Sequence, residues 1–157
     1  MKRLACWIVI GISVTACGSN PNSPASVTPS AQGHWTGTTT NQNCTALADF
    51  LTTGACVGFP ATSSFDLILT QTGSTVSGTL IVGTFLFTVS GPVSASSAVS
   101  LTGRGTSTVF IGDLSNWSTQ VSGTAMTGSF GYIITAPTVA LGSVSVRAAL
   151  VNVVKVS

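Results

Sequence analysis

The sequence has no glutamate, one histidine and one tyrosine, and only 5% of its residues are charged. Acid–base or nucleophilic chemistry would have to run through His34, with Asp66 and Asp113 as the carboxylates to weigh beside it. A serine becomes a nucleophile only when a base is placed to activate it. His34 stands next to Trp35, so in a strand the two point to opposite faces; with the indole inside, the imidazole is a surface group. Asp66 and Asp113 are the pair that a glycosidase-like site would use, but Gly112-Asp113 has the composition of a turn. No enzyme activity is expected, and no cofactor.

Basic residues are equally scarce. Lys2 and Arg3 account for the net charge of +2, because Arg104, Arg147 and Lys155 balance Asp49, Asp66 and Asp113. With no basic patch to displace counterions from phosphates, nucleic-acid binding is excluded. Long apolar runs are missing too. Leu4 to Ala16 is the longest at about thirteen residues, short of the roughly twenty that span a bilayer as a helix.

That run has a different meaning. It follows Lys2 and Arg3 and has the length of the hydrophobic region of a secretory signal. It ends in Val14-Thr15-Ala16-Cys17, which resembles the lipobox of bacterial lipoprotein precursors. The resemblance implies removal of residues 1–16 as a signal peptide and attachment of diacylglycerol, then palmitate or a similar acyl chain, to Cys17. Each buried methylene of such chains contributes about 0.8 kcal/mol to anchoring. The expected partner is therefore a lipid bilayer, outside the cytoplasm. Gly18 after the cysteine resembles an outer-membrane sorting signal, with the inner membrane as the alternative. Residues 17–32, GSNPNSPASVTPSAQ after the cysteine, are rich in proline and serine and uncharged. Such a stretch buries no core and is expected to be a flexible tether.

One domain, residues 33–157, follows. Its two cysteines, Cys44 and Cys56, suit a disulfide in an exported protein. A metal site built from them with His34 and Asp49 is the alternative, although no paired Cys-x-x-Cys or second histidine supports it; no metal is expected. Valine, threonine, isoleucine and phenylalanine dominate, with turn residues at short intervals, which predicts an all-β domain. Strands are expected near 32–41, 64–72, 75–83, 84–93, 97–106, 114–122, 124–134 and 143–155, with the longest link at 42–63. In the last, Val144, Val146, Ala148, Leu150 and Val154 share one face, and Ser145, Arg147, Ala149, Val151, Val153 and Lys155 the other.

A short pattern recurs: Val76-Ser77-Gly78, Val89-Ser90-Gly91, Leu101-Thr102-Gly103, Val121-Ser122-Gly123 and Met126-Thr127-Gly128. In a strand it sets a large apolar side chain beside no side chain on one face. Gly33, Trp35 and Gly37 do the same. Interiors of small barrels need that alternation, and glycine permits the bends that closure demands. The expected fold is an antiparallel meander of about eight strands closed into an up-and-down barrel; a flat solenoid is disfavoured by unequal spacing of the copies. A transmembrane barrel is disfavoured by the lack of aromatic girdles.

Gly33-His34-Trp35 resembles the Gly-x-Trp signature of the lipocalin and calycin barrels, and avidin-like barrels open on a similar strand. In calycins a basic residue from the last strand or just beyond lies across that tryptophan; the resemblance assigns this to Arg147, which would have to reach round the barrel end or be brought into phase by a bulge. The stretches Leu69-Thr70-Gln71-Thr72-Gly73 and Val76-Ser77-Gly78 are similar to those of uncharacterised small bacterial β-barrel lipoproteins. The resemblance implies a lipocalin-like barrel that binds a small apolar molecule. Trp35, Phe85, Phe87, Trp117, Phe130 and Tyr132 fall on inward faces and are the candidates to line a cavity. The alternative is that these rings fill the barrel, leaving a structural or protein-interaction lipoprotein with a solid core.

Overall fold

The computed structural model describes residues 29–47, 54–106, 110–136 and 142–157. Cys17, the apolar run before it and Asp49 lie outside them. The described elements are β1 (Gly33–Leu47), β2 (Thr62–Thr72), β3 (Thr75–Val82), β4 (Phe85–Pro92), β5 (Ala98–Val99), β6 (Thr102–Thr106), β7 (Ile111–Ser122), β8 (Ala125–Thr135) and β9 (Ser143–Lys155). Every pairing is antiparallel. Each strand neighbours the next around the sheet, and β9 returns to β1, so eight strands close an up-and-down barrel with β5 as a short extra rung on β7.

Period-two alternation builds the wall. In β2, Phe65, Leu67 and Leu69 are buried while Asp66, Ile68 and Thr70 look outward; β3 and β4 continue with Val76, Leu80, Val82, Phe87 and Val89 inside. Burying side chains of this size stabilises by about 1.5–3 kcal/mol each. The outer wall is a hydroxyl surface. Thr70, Ser77, Ser90 and Thr102 stand opposite one another across four strands. Ile68, Ile81, Leu86, Ile133 and Val154 are the apolar exceptions on that wall, and the apolar interior is the reverse of the polar lumen of a membrane-spanning barrel.

Several local expectations need correction. β1 runs on to Leu47, because its threonine- and asparagine-rich second half pairs with the start of β9, Asn41 opposite Ala148 and Leu47 opposite Ser143. The single strand expected at 97–106 is split. Ala98 and Val99 pair with Gln120 and Thr119, whereas Arg104 to Thr106 pair with Asp113 to Ile111. Between these two stretches β7 carries a register shift at Ser115/Ser118, with Asn116 at φ 50°. Gly112-Asp113, expected in a turn, lies inside β7, because both residues pair with β6.

The last strand keeps its expected phase as far as Leu150, which pairs with buried Thr39 and packs against the core. Asn152 takes φ 52° and the β1–β9 register shifts between Thr36 and Thr38. The extra residue turns Val153 inward, at 2% exposure, and Val154 outward, at 45%. Gly37 allows the inversion, because a Cβ there would come within 2.8 Å of the Val153 backbone.

The chain also joins the barrel earlier than expected. Ala31 is fully buried beneath Trp35. The indole Nε1 donates to the Ala31 carbonyl at 2.9 Å, and the Ala31 amide donates to Gln71 Oε1 at 2.8 Å. Gln71 Nε2 donates in turn to the carbonyls of Pro29 and Gly73. Residues 29–32, assigned to the tether, therefore plug one end of the barrel, since the plug satisfies its own polar groups on entering. Antiparallel order puts the turns at 73–74 and 123–124 and the C-terminus at this closed end. The 83–84 turn, the end of β6 and the disulfide loop lie at the opposite end, the mouth.

Cys44 and Cys56 are joined, with Cα atoms 5.7 Å apart. The bond ties β1 to the loop before β2, and as disulfide sulfurs neither residue is free to ligate a metal. Reduction of the purified protein should lower its stability by roughly 2–3 kcal/mol, the loop entropy returned to the unfolded chain. Denaturant melts with and without reductant will measure it.

Candidate functional site

The six candidate cavity residues do not form one site. Trp35 sits at the closed end, against the plug. Lys155, its partner in the β1–β9 ladder, brings Nζ 5.8 Å from the ring centroid. The cation across the tryptophan is therefore Lys155 rather than Arg147. Arg147 is exposed on the outer wall opposite Asn43, eight residues along β1 from Trp35, roughly 26 Å at the rise of a strand. The bulge that Arg147 needed is present, but it lies beyond Arg147 and rephases Lys155 instead.

The five other candidates, with Phe65, form a continuous run of rings up the barrel. Trp117 and Phe130 stack at 4.8 Å between centroids, and Phe65 lies 6.4 Å from Trp117 and 6.2 Å from Phe130. Phe130 touches Tyr132 at 6.1 Å, and Tyr132 touches both Phe85 and Phe87 at 6.2 Å. Contacts of this kind add about 0.5–1.5 kcal/mol each beyond burial. Trp117 Nε1 donates to Thr119 Oγ1 at 2.9 Å, and that hydroxyl donates to the Val99 carbonyl at 3.3 Å, so the buried polar atoms of this layer are satisfied. The middle of the barrel is filled.

Open space appears at the mouth. A hollow of about 230 Å³ lies between β4, β6 and β7, walled by Phe85, Phe87, Phe110, Gly105 and Gly112, with Thr106 on its rim. Gly105 and Gly112 face each other in the ladder. A Cβ on Gly112 would come 2.8 Å from the Phe87 ring, so the bare backbone makes room for that ring. Phe65 and Phe110 were missed from sequence. Phe65 shares a face with Leu67 and Leu69 and was legible from alternation; Phe110 precedes its strand and gave no periodic signal.

Tyr132 is 2% exposed, and burial pushes its phenol up to about 12. Its hydroxyl makes no hydrogen bond among the described residues, yet no fully buried side-chain polar atom among them lacks a partner. Both hold only if the oxygen reaches space open to water. Because the folded value lies above the unfolded one near 10, the unfolded chain ionises first as pH rises. The stabilisation is complete below about pH 10 and is lost as pH climbs through 12, on the order of 2–3 kcal/mol. As this is the only tyrosine, a tyrosinate absorbance titration reports it directly, with a midpoint near 12 in the native protein and near 10 in denaturant.

The charged candidates stand on the outer wall. His34 Nε2 lies 2.9 Å from Asp66 Oδ2, and Arg104 Nε 3.7 Å from Asp113 Oδ1. Both pairs are solvent-exposed in part, where such contacts contribute at most about 1 kcal/mol. Strands β3, β4 and β6 separate Asp66 from Asp113, so the two carboxylates do not share a site. No family model, curated protein or solved structure matches the chain.

Proposed function

We propose that this protein is an extracytoplasmic lipoprotein, held at a membrane through acylated Cys17, whose barrel binds a small apolar molecule at its mouth. The observation that carries the binding half is the hollow bounded by three phenyl rings from two segments of chain, Phe85 and Phe87 of β4 and Phe110 just before β7. Pockets of this make-up, apolar with few polar groups at the rim, are how small-molecule sites are commonly built. The address rests on Lys2-Arg3, the short apolar run and Val14-Thr15-Ala16-Cys17. Anchor and mouth would then lie at opposite ends, since the chain enters the barrel through the plug at residues 29–32.

A second reading, a packed structural or protein-interaction barrel without ligand, is favoured by the stack of Phe65, Trp117, Phe130 and Tyr132 that fills the interior. Native mass spectrometry of the full protein purified from its host tests both halves. The expected species begins at Cys17, carries diacylglycerol, and holds one further molecule of defined mass. A form without lipid at Cys17 overturns the address. A lipidated form with no bound molecule favours the packed barrel.

A further inference from the structure

The hollow at the mouth is lined from both faces of the wall. Phe87, Gly105 and Gly112 belong to the buried, inward set, whereas Leu86 and Thr106 belong to the exposed, outward set. Neighbours along a strand point to opposite faces, so the hollow reaches the rim, where the two faces meet. It does not continue inward, because the rings of Phe65, Trp117, Phe130 and Tyr132 occupy the barrel below. An apolar cavity of about 150 Å³ holds a benzene, so about 230 Å³ takes one ring with a short substituent. Anything longer must leave over the rim.

Beyond that rim the outer wall is aliphatic. Leu86 is 58% exposed, Ile81 stands directly opposite it on β3, and Ile68 is the diagonal neighbour of Ile81 on β2. The three are contiguous. Val154, by contrast, is separated from Ile81 by Thr36 and Asp66, and Ile133 lies on β8 beside Asp113. Opposite residues are about 5 Å apart and diagonal ones about 7–8 Å, so the strip leads roughly 12 Å away from the hollow. Asp66 borders it and is paired with His34. Single exposed aliphatic residues are ordinary on a protein surface. A strip continuous with an apolar hollow is different, since one bound molecule can cover both. Three side chains are far too few for a protein partner, which needs about 20–30 residues a side.

We infer that the ligand is an elongated apolar molecule, with a ring head in the hollow and a saturated tail of about eight carbons laid over the rim along Leu86, Ile81 and Ile68. The ring seats against Phe85, Phe87 and Phe110, and the tail runs outside the barrel rather than down its axis. This inference rests on the mouth being a binding site and adds the shape and the path of what it takes.

Fluorine NMR titrations of the full chain with 4-fluoroanisole and 4-fluorophenyl octyl ether test it. Both are expected to bind, the octyl ether about 10-fold or more tightly for the apolar area its tail covers. The double variant Ile68→Thr, Ile81→Thr keeps residues suited to a strand. It should remove most of the octyl advantage and leave 4-fluoroanisole unchanged, and that unchanged binding shows the barrel to be folded. Thr106→Trp, at the exposed rim, should abolish binding of both ethers with the thermal melt of the parent retained. If neither ether binds, or Thr106→Trp changes nothing, the mouth is not the site and the binding reading falls with it. If both bind with equal affinity, or the double variant keeps the octyl advantage, the outer path of the tail alone is overturned.

Discussion

Gly91→Ala will destabilise the protein by about 3 kcal/mol or more, although it adds one methyl group and removes no contact. Gly91 lies where the β4 backbone passes closest to the chain between β5 and β6. A Cβ there would run into the carbonyl oxygen of Ser100 and come 3.1 Å from the Leu101 Cα. The obstacle is backbone, so no rotamer change relieves it. Two effects oppose. Alanine reduces the entropy of the unfolded chain, which favours folding by about 0.4–1 kcal/mol. Overpacking a fitted interior costs typically 1–3 kcal/mol and more when the backbone must move, so the clash wins. Gly78→Ala should behave alike, its Cβ meeting the Ile68 carbonyl, whereas Gly123 has nothing within 4 Å but sits at φ 59°. There alanine should cost only the roughly 1 kcal/mol of a left-handed conformation. Denaturant midpoints of the three variants will give the order; equal losses at positions 91 and 123 would show that crowding is not the cause.

Trp35→Ala should cost about 3–5 kcal/mol, the range for deleting a large buried aromatic. The indole is fully buried, receives Lys155 on its face, and donates to Ala31, which it covers. Its loss therefore leaves a cavity at the closed end and releases the plug. Hydrogen exchange should show the amide of Ala31, now bonded to Gln71, losing protection to a far greater degree than amides near the mouth. Arg147→Leu, on the outer wall, should stay within about 0.5 kcal/mol of the parent. A large effect of that change, or retained protection at Ala31 in the tryptophan variant, would contradict the packing described.

The two variants mark where sequence reasoning held and where it stopped. The Val-Ser-Gly type of repeat was legible as alternation, and in three copies the glycine does face inward beside a close strand: Gly78, Gly91 and Gly103. In the other two the same letters do different work. Gly123 makes a turn at φ 59°, and Gly128 takes φ 134° where β8 shifts register against β9. A tripeptide cannot distinguish these, because the difference lies in which backbone passes beside it.

The same limit governed Trp35. Its inward face, its place in the first strand and the adjacency of first and last strands followed from Gly33-His34-Trp35 and from closure. The cation across it did not. Alternation counted from Val144 placed Lys155 outside, but the shift near Asn152 reversed the phase. A bulge inserts one residue, and one residue inverts every side chain beyond it.

What the sequence by itself determined is what depends on near neighbours. Apolar alternation located the strands and their inward faces, cysteine count and spacing indicated Cys44–Cys56, and scarce charge left a sparsely charged, hydroxyl-rich wall. Only the tertiary structure decided that the rings fill the middle of the barrel, that the hollow lies at the mouth against Phe110, and that residues 29–32 plug the far end. Those outcomes depend on register between strands distant in sequence and on the volume left once every inward side chain is placed. Neither quantity is written in any local stretch of chain.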